Sequence, residues 1–264
     1  MRLYLTLIGA RIRAQLQYRI SFVLDIISFG AMTTVELAVI GALLSRFPSI
    51  GGWSFREVAL LYGLTAIAFG TAEMIARGFD APFERMMQQG SFDTVLIRPA
   101  GAFFQVIASE FQLRRLGRVI QGTAALSYAL AGLPIRWTAA KALVIPLSIA
   151  SGATIFGALI VFSATVCFWT IKLPEVFHIL TSGGQQMVSY PLHIYQGWMR
   201  ALFLSAIPLG FVSYPAGLYL LDRPDPFGLP GGVIWLAPLV AGLFFLGALR
   251  FWAFGVSKYQ SSGT

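Results

Sequence analysis

Residues 143–169 read LVIPLSIASGATIFGALIVFSATVCFW, twenty-seven positions without a charged side chain. At 1.5 Å rise per residue, about 20 apolar residues cross the roughly 30 Å hydrocarbon core of a bilayer. A helix at the surface of a soluble protein must show water a polar face, and this run has none to show. Comparable runs occupy 22–44, 58–76, 117–133 and 233–254. The chain therefore reads as an all-α integral membrane protein that crosses the bilayer several times. At 57% hydrophobic, 11% charged and a mean hydropathy of +0.74, its 264 residues leave no room between the runs for a soluble catalytic or nucleotide-binding domain.

The 27 glycines and 13 prolines suit close helix packing and broken helices in lipid. A net charge of +8 invites a nucleic-acid reading, but the basic residues sit beside the apolar runs. Arg2, Arg11, Arg13 and Arg19 precede the first run, and Arg77, Arg85, Arg98, Arg114, Arg115 and Arg118 follow the second. Only Arg46, Arg56, Arg136 and Lys141 fall in the opposite short loops. Ten against four places the N-terminus and the long loop in the cytoplasm, and the C-terminus with them if the spans are even in number. The one cysteine, Cys167, lies inside an apolar run and reads as a small buried hydrophobe.

Along this single transmembrane domain, residues 1–20 read as an interfacial helix. Leu5, Ile8, Ile12 and Leu16 form one stripe, and Arg2, Thr6, Arg13 and Gln17 form another. Spans are expected at 21–45, 58–77, 117–134, 143–170 and 233–254, with a polar cytoplasmic loop at 78–116. Between 174 and 222 two segments compete for the remaining span. Residues 174–192 are moderately apolar around Gly183-Gly184-Gln185-Gln186, and 201–221 are more apolar but broken by Pro208 and Pro215. Either choice makes six spans, and the other segment then lies in the interface or re-enters the membrane.

Catalysis finds little support. His178 and His193 have no carboxylate or cysteine beside them, and no His/Cys/Asp/Glu cluster has metal-ligand spacing. Lys141, Lys172 and Lys258 all lack the glycine-rich context of a phosphate-binding loop. The expectation is a chain that is no enzyme and holds no metal or cofactor, so that any nucleotide is bound by another subunit. Acids inside a span are costly in lipid and face protein or water. Asp25 and Glu36, eleven residues apart, share a helix face with Ser28 and Met32, either as a pathway lining or as a polar helix–helix seam. Glu73 and Arg77 are spaced for an ion pair where the second span ends. Small residues mark packing faces at Gly63 and Gly70, and at Ala150, Ala153 and Gly157. In the long loop Ser91 is placed to cap a short helix at 92–97, with Asp93 at its positive end and Pro99 stopping it at Arg98. An amphipathic helix is expected at 102–116, with Phe104, Ile107, Ala108 and Phe111 on one face. A short helix held off the membrane by two arms suits docking.

Two segments carry a resemblance. Gly90-Ser91-Phe92-Asp93-Thr94-Val95-Leu96-Ile97-Arg98-Pro99 is similar to a Gly-x-Leu-Asp-x-x-Leu-x-Arg-Pro stretch, with Phe92 in place of Leu. Ser189-Tyr190-Pro191-Leu192 through Trp198-Met199-Arg200 to Ile207-Pro208-Leu209 is similar to a Tyr-Pro…Arg…Pro-Leu pattern. In this order within a six-span frame, the whole chain resembles the permease subunits of bacterial type 2 ABC exporters. The resemblance implies an N-terminal elbow helix, a coupling helix between spans two and three, a fifth span at 174–192 and re-entrant helices at 197–222. It makes Ser91, Phe92, Asp93, Val95, Leu96, Arg98 and Pro99 the contact with two separate ATPase subunits, which bind ATP and Mg. A second permease, the same chain or a different one, completes the path, with Asp25, Ser28, Met32 and Glu36 as its lining or seam. The setting implied is a prokaryotic plasma membrane, with both termini cytoplasmic, lipids around the spans and no nucleic acid. The first rival, a secondary transporter, needs an ion-coupling acid at midplane and favours an internal repeat; Glu36 is the one mid-span acid, and no repeat is visible. The second, a lipid-processing enzyme, needs an interfacial His/Asp/Glu cluster.

Overall fold

The computed structural model describes Gly9 and residues 19–46, 49–173 and 175–260; within 19–46 several side chains, Met32 and Glu36 among them, lie outside that description. The expected interfacial helix at 1–20 thus lies outside the described residues, save Gly9, Arg19 and Ile20. The described elements are helical: α1 (Arg19–Arg46), α2 (Phe55–Ala76), α3 (Ala81–Gln88), α4 (Asp93–Leu96), α5 (Ala102–Ser109) and α6 (Leu116–Gly132) come first. There follow α7 (Ala139–Thr170), α8 (Glu175–His178), α9 (Gly184–Val188), α10 (Gly197–Leu204), α11 (Tyr214–Leu220) and α12 (Ala237–Lys258). Among the described residues three helices are long and apolar enough to cross a membrane, at Phe55–Gln88, Ala139–Thr170 and Val233–Lys258. A fourth is added if α10 and the Pro208–Leu220 segment, bent by 75° from each other, count as one broken span.

Packing runs α1 on α6, α6 on α2, α2 on α7, and α7 on α12. At the centre is α2, apolar on every side and buried from Val58 to Gly70. Its start is fixed by Glu57, whose carboxylate accepts from the Ser54 backbone N–H at 2.8 Å and hydroxyl at 2.9 Å. A Cβ on Gly63 would stand 2.8 Å from the Leu126 backbone nitrogen, and one on Gly122 would stand 2.9 Å from the Ala66 Cβ. Hydrogen at these positions is what lets α2 and α6 approach so closely. The small residues expected on the fourth run behave differently. Ala150 is exposed and a Cβ on Gly157 would meet nothing within 4 Å, whereas Gly152 faces Ala68 and Val212. That run is apolar all round, so its sequence does not tell one face from another. Pro146 lies inside α7, and Pro238 sits in the first turn of α12.

Two further stretches depart from the sequence reading. The helix expected at 102–116 ends at Ser109; Glu110 is extended and the Gln112 backbone N–H donates to the Met74 carbonyl at 3.3 Å, tying the loop to the end of α2. Between 175 and 188, α8 and α9 are joined by a π-helical turn at Ile179–Gly183. At helical rise this stretch covers only about 21 Å.

Hydroxyls tie the end of this stretch and the broken segment after it to each other and to α2 and α7. Thr65 Oγ1 and Ser213 Oγ both donate to the Val188 carbonyl, at 3.3 and 2.5 Å, and Ser148 Oγ donates to the Val212 carbonyl at 2.5 Å. Buried carbonyls at the ends and breaks of helices need such partners.

Candidate functional site

The 77–115 loop forms a compact body at one end of the bundle. Gly90, at φ 64°, turns the chain out of α3 and into α4. Phe92 is wholly buried, with Phe83, Phe168 and Tyr259 at ring-centroid distances of 5.5, 5.4 and 5.1 Å and Trp252 at 6.3 Å. Edge-to-face pairs of this kind add to the area they bury. Val95 is buried on the same side, and its carbonyl accepts from Gln105 Nε2 of α5 at 2.8 Å. The Tyr259 hydroxyl bonds Asp93, and burial, followed by that bond and the carboxylate charge, pushes the phenol up to about 12. On the outward side Leu96 is 42% and Ile97 83% exposed, and Thr94, Arg98 and Pro99 are exposed as well. Ser91 does not cap the helix: its hydroxyl donates back to the Met86 carbonyl at 3.4 Å.

A buried ion cluster fixes where this body meets α2 and α6. Glu73, 6% exposed, takes Arg115 at 3.0 Å and Arg118 at 3.6 Å on Oε2, and Arg77 at 3.5 Å on Oε1. Arg77 also pairs with Asp80. Burial lowers Arg115 to about 10, Glu73 opposes the drop, and Arg77, Arg118 and Arg114 add to it. Arg118 lies over the Phe69 ring at 4.9 Å. The Glu73–Arg77 spacing was legible in the sequence; the two arginines more than forty residues away were not.

Across residues 30–263 the sequence matches the family model described as ABC-2 family transporter protein. The chain belongs to the ABC-2 transporter family. No curated protein and no solved structure matches it. An ABC-2 member is the membrane component of an ABC transporter, and the apolar helices agree with a multi-pass membrane protein.

In this ABC-2 protein the seven loop residues named from sequence divide by face. Phe92 and Val95 point into the core, Ser91 and Asp93 are half-buried, and Leu96, Arg98 and Pro99 face outward. Ile97 joins the outward group. The seat formed by Phe83, Phe168, Trp252 and Tyr259 escaped the sequence reading, although the aromatic enrichment where the fourth and last runs end was a usable signal. Of the polar stripe on α1, Asp25 and Ser28 are exposed on the bundle surface, and the side chains of Met32 and Glu36 are outside the described set. Beside that helix lies a cavity of about 240 Å³ lined by Val35, Val39, Tyr62, Gln185, Gln186 and Ser189, without a charged group. A larger one, about 430 Å³, opens near the loop between Asp80, Glu84, Lys172, Glu175 and His178. Among the described residues no three His, Cys, Asp or Glu side chains are grouped to hold a metal ion. At the opposite end of the bundle, His193 is tied to the Gly51 carbonyl at 2.8 Å and to the Tyr214 hydroxyl at 3.3 Å, and Tyr214 donates to Asp225 at 2.5 Å.

Proposed function

We propose that this ABC-2 protein is the permease subunit of an ATP-driven exporter in a prokaryotic plasma membrane. In this reading α1, α6 and the 174–192 stretch add to the three long apolar helices to make six spans, and 197–222 re-enters the membrane from the outside. Two ATPase subunits dock on α4 from the cytoplasm and bind the ATP and Mg, and a second permease meets α1 on the side of Asp25 and Ser28. The observation that carries it is the two-sided loop helix: Phe92 and Val95 hold it to the bundle while Leu96, Ile97 and Arg98 are presented outward. Exposed apolar side chains on a firmly seated short helix are what a groove on another protein needs, and a few such anchors carry most of the energy of a contact. The exporter reading is what the resemblance of 90–99 and 189–209 to type 2 ABC exporters implies.

The test is purification of the chain with the ATPase that binds it. Leu96→Asp together with Ile97→Asp puts two carboxylates into the groove while leaving the buried face of α4 intact. Membrane insertion should be unchanged and ATPase recovery should fall about 30-fold, the equivalent of losing one anchor worth about 2 kcal/mol. Normal recovery of the ATPase with the double variant would remove α4 as the docking element.

For the α1 stripe, Glu36→Gln should be felt more than Asp25→Asn in both assembly and ATPase rate. Glu36 lies eighteen positions into a 28-residue helix, where no headgroup is in reach, and Asp25 lies near its start. If both variants assemble and hydrolyse ATP normally, the stripe is neither a pathway lining nor a seam.

A further inference from the structure

We infer that α4 is latched to the C-terminal end of α12 and to the end of α7, so that Tyr259, Trp252 and Phe168 are positioning residues that carry movement of the docking helix into those two helices. The inference rests on α4 being the docking element and adds the route that leaves it.

Three independent contacts make the latch. Phe92 packs edge-to-face on both Tyr259 and Phe168, at 5.1 and 5.4 Å, and those two rings meet each other at 6.0 Å. Asp93 is held by the Tyr259 hydroxyl, a bond that fixes the helix start to the residue just after α12. The rest of the loop body leans on the same helix: Phe79, Phe83 and Phe103 stand 4.9, 5.2 and 6.2 Å from the Trp252 ring. Phe103 also meets Phe245 one to two turns earlier in α12, at 6.4 Å. By contrast, α6, the next long helix in sequence, meets α2 at the Glu73 ion cluster through Arg115 and Arg118, and no residue of α4 takes part in those ion pairs. A packed aromatic cluster transmits displacement because it resists compression, and the cluster joins α4 to α7 and α12 while the ion pairs join α6 to α2.

The latch is tested by placing spin labels at Thr94 in α4, Lys258 in α12 and Thr123 in α6, all exposed positions. Cys167, the one native cysteine, is buried. Distances are measured in the complex with its ATPase, free of nucleotide and after trapping with ATP and vanadate. The 94–258 distance should stay the same while the 94–123 distance shifts by about 2 Å or more. Tyr259→Phe keeps the ring and loses the hydroxyl. It should broaden the 94–258 distribution already in the chain alone, whereas Asp93→Asn, which keeps an acceptor, should behave as the native chain does. Equal shifts in both distances on trapping, no shift in either, or a Tyr259→Phe protein identical to the native one in every state would overturn the inference. Loss of ATPase co-purification in Leu96→Asp reports separately on the docking reading, so the two fail by different measurements.

Discussion

Glu73→Ala should cost about 3–5 kcal/mol of stability, the range for breaking a buried ion pair by removing one partner. The loss is large because three guanidinium groups converge on this one carboxylate, and Arg115 and Glu73 are 7% and 6% exposed. Burial already acts against the Arg115 charge and lowers it to about 10, with Glu73 opposing that drop. A base whose folded value lies below its ordinary one binds its proton less firmly in the folded state. Its burial therefore costs stability at neutral pH, and the cost is relieved only as pH rises through about 10. Without Glu73, the carboxylate that opposes that cost is gone. Thermal unfolding in detergent should show the drop for Glu73→Ala, a similar one for Glu73→Gln, and partial recovery when Arg115→Met is added to either. Unfolding within 1 °C of the native protein would show that the carboxylate carries no net interaction.

Gly63→Val should separate α2 from α6 and cost at least about 3 kcal/mol, the upper part of the overpacking range. The obstacle is backbone: the added Cβ would meet Leu126 N at 2.8 Å and Leu126 Cα at 2.9 Å, and neither can rotate away. Gly122 is seated against Ala66 and Ile67 in the reciprocal way, so the two helices cannot slide to make room. Gly157→Ala, on a face where nothing lies within 4 Å, is the control and should unfold within 1 °C of the native protein. Equal stability of the two variants would place the α2–α6 seam elsewhere.

Several features of the site were readable because they depend on neighbours in sequence. The Glu73–Arg77 pair is four residues apart on one helix, and the stop at Pro99 follows from the clash a proline makes with the residue before it. The Ser91 cap failed for a local reason too: its hydroxyl found the Met86 carbonyl behind it instead of the amides ahead. The fit of 102–116 to a helical pattern was real as far as Ser109, where a backbone bond to Met74 overrode it.

What the sequence by itself determined is the class of protein. Charge-free runs of membrane length have no stable state in water, and in lipid their backbone has to close its own hydrogen bonds as helix. The loop motif at 90–99 and the family resemblance it carries are likewise properties of the sequence alone. Tertiary structure alone decided which way those residues face. It turned Phe92 and Val95 inward and left Leu96 and Ile97 outside. It also brought Arg115 and Arg118 to Glu73, set Tyr259 against Asp93, and chose Gly152 over Gly157 as the packing side of α7. Hydrophobic periodicity reports a contrast between two faces of one helix, and in lipid that contrast is missing because the surroundings are as apolar as the core. Partners forty to more than one hundred and sixty residues apart leave no mark on a local pattern, so only the packed bundle could name them.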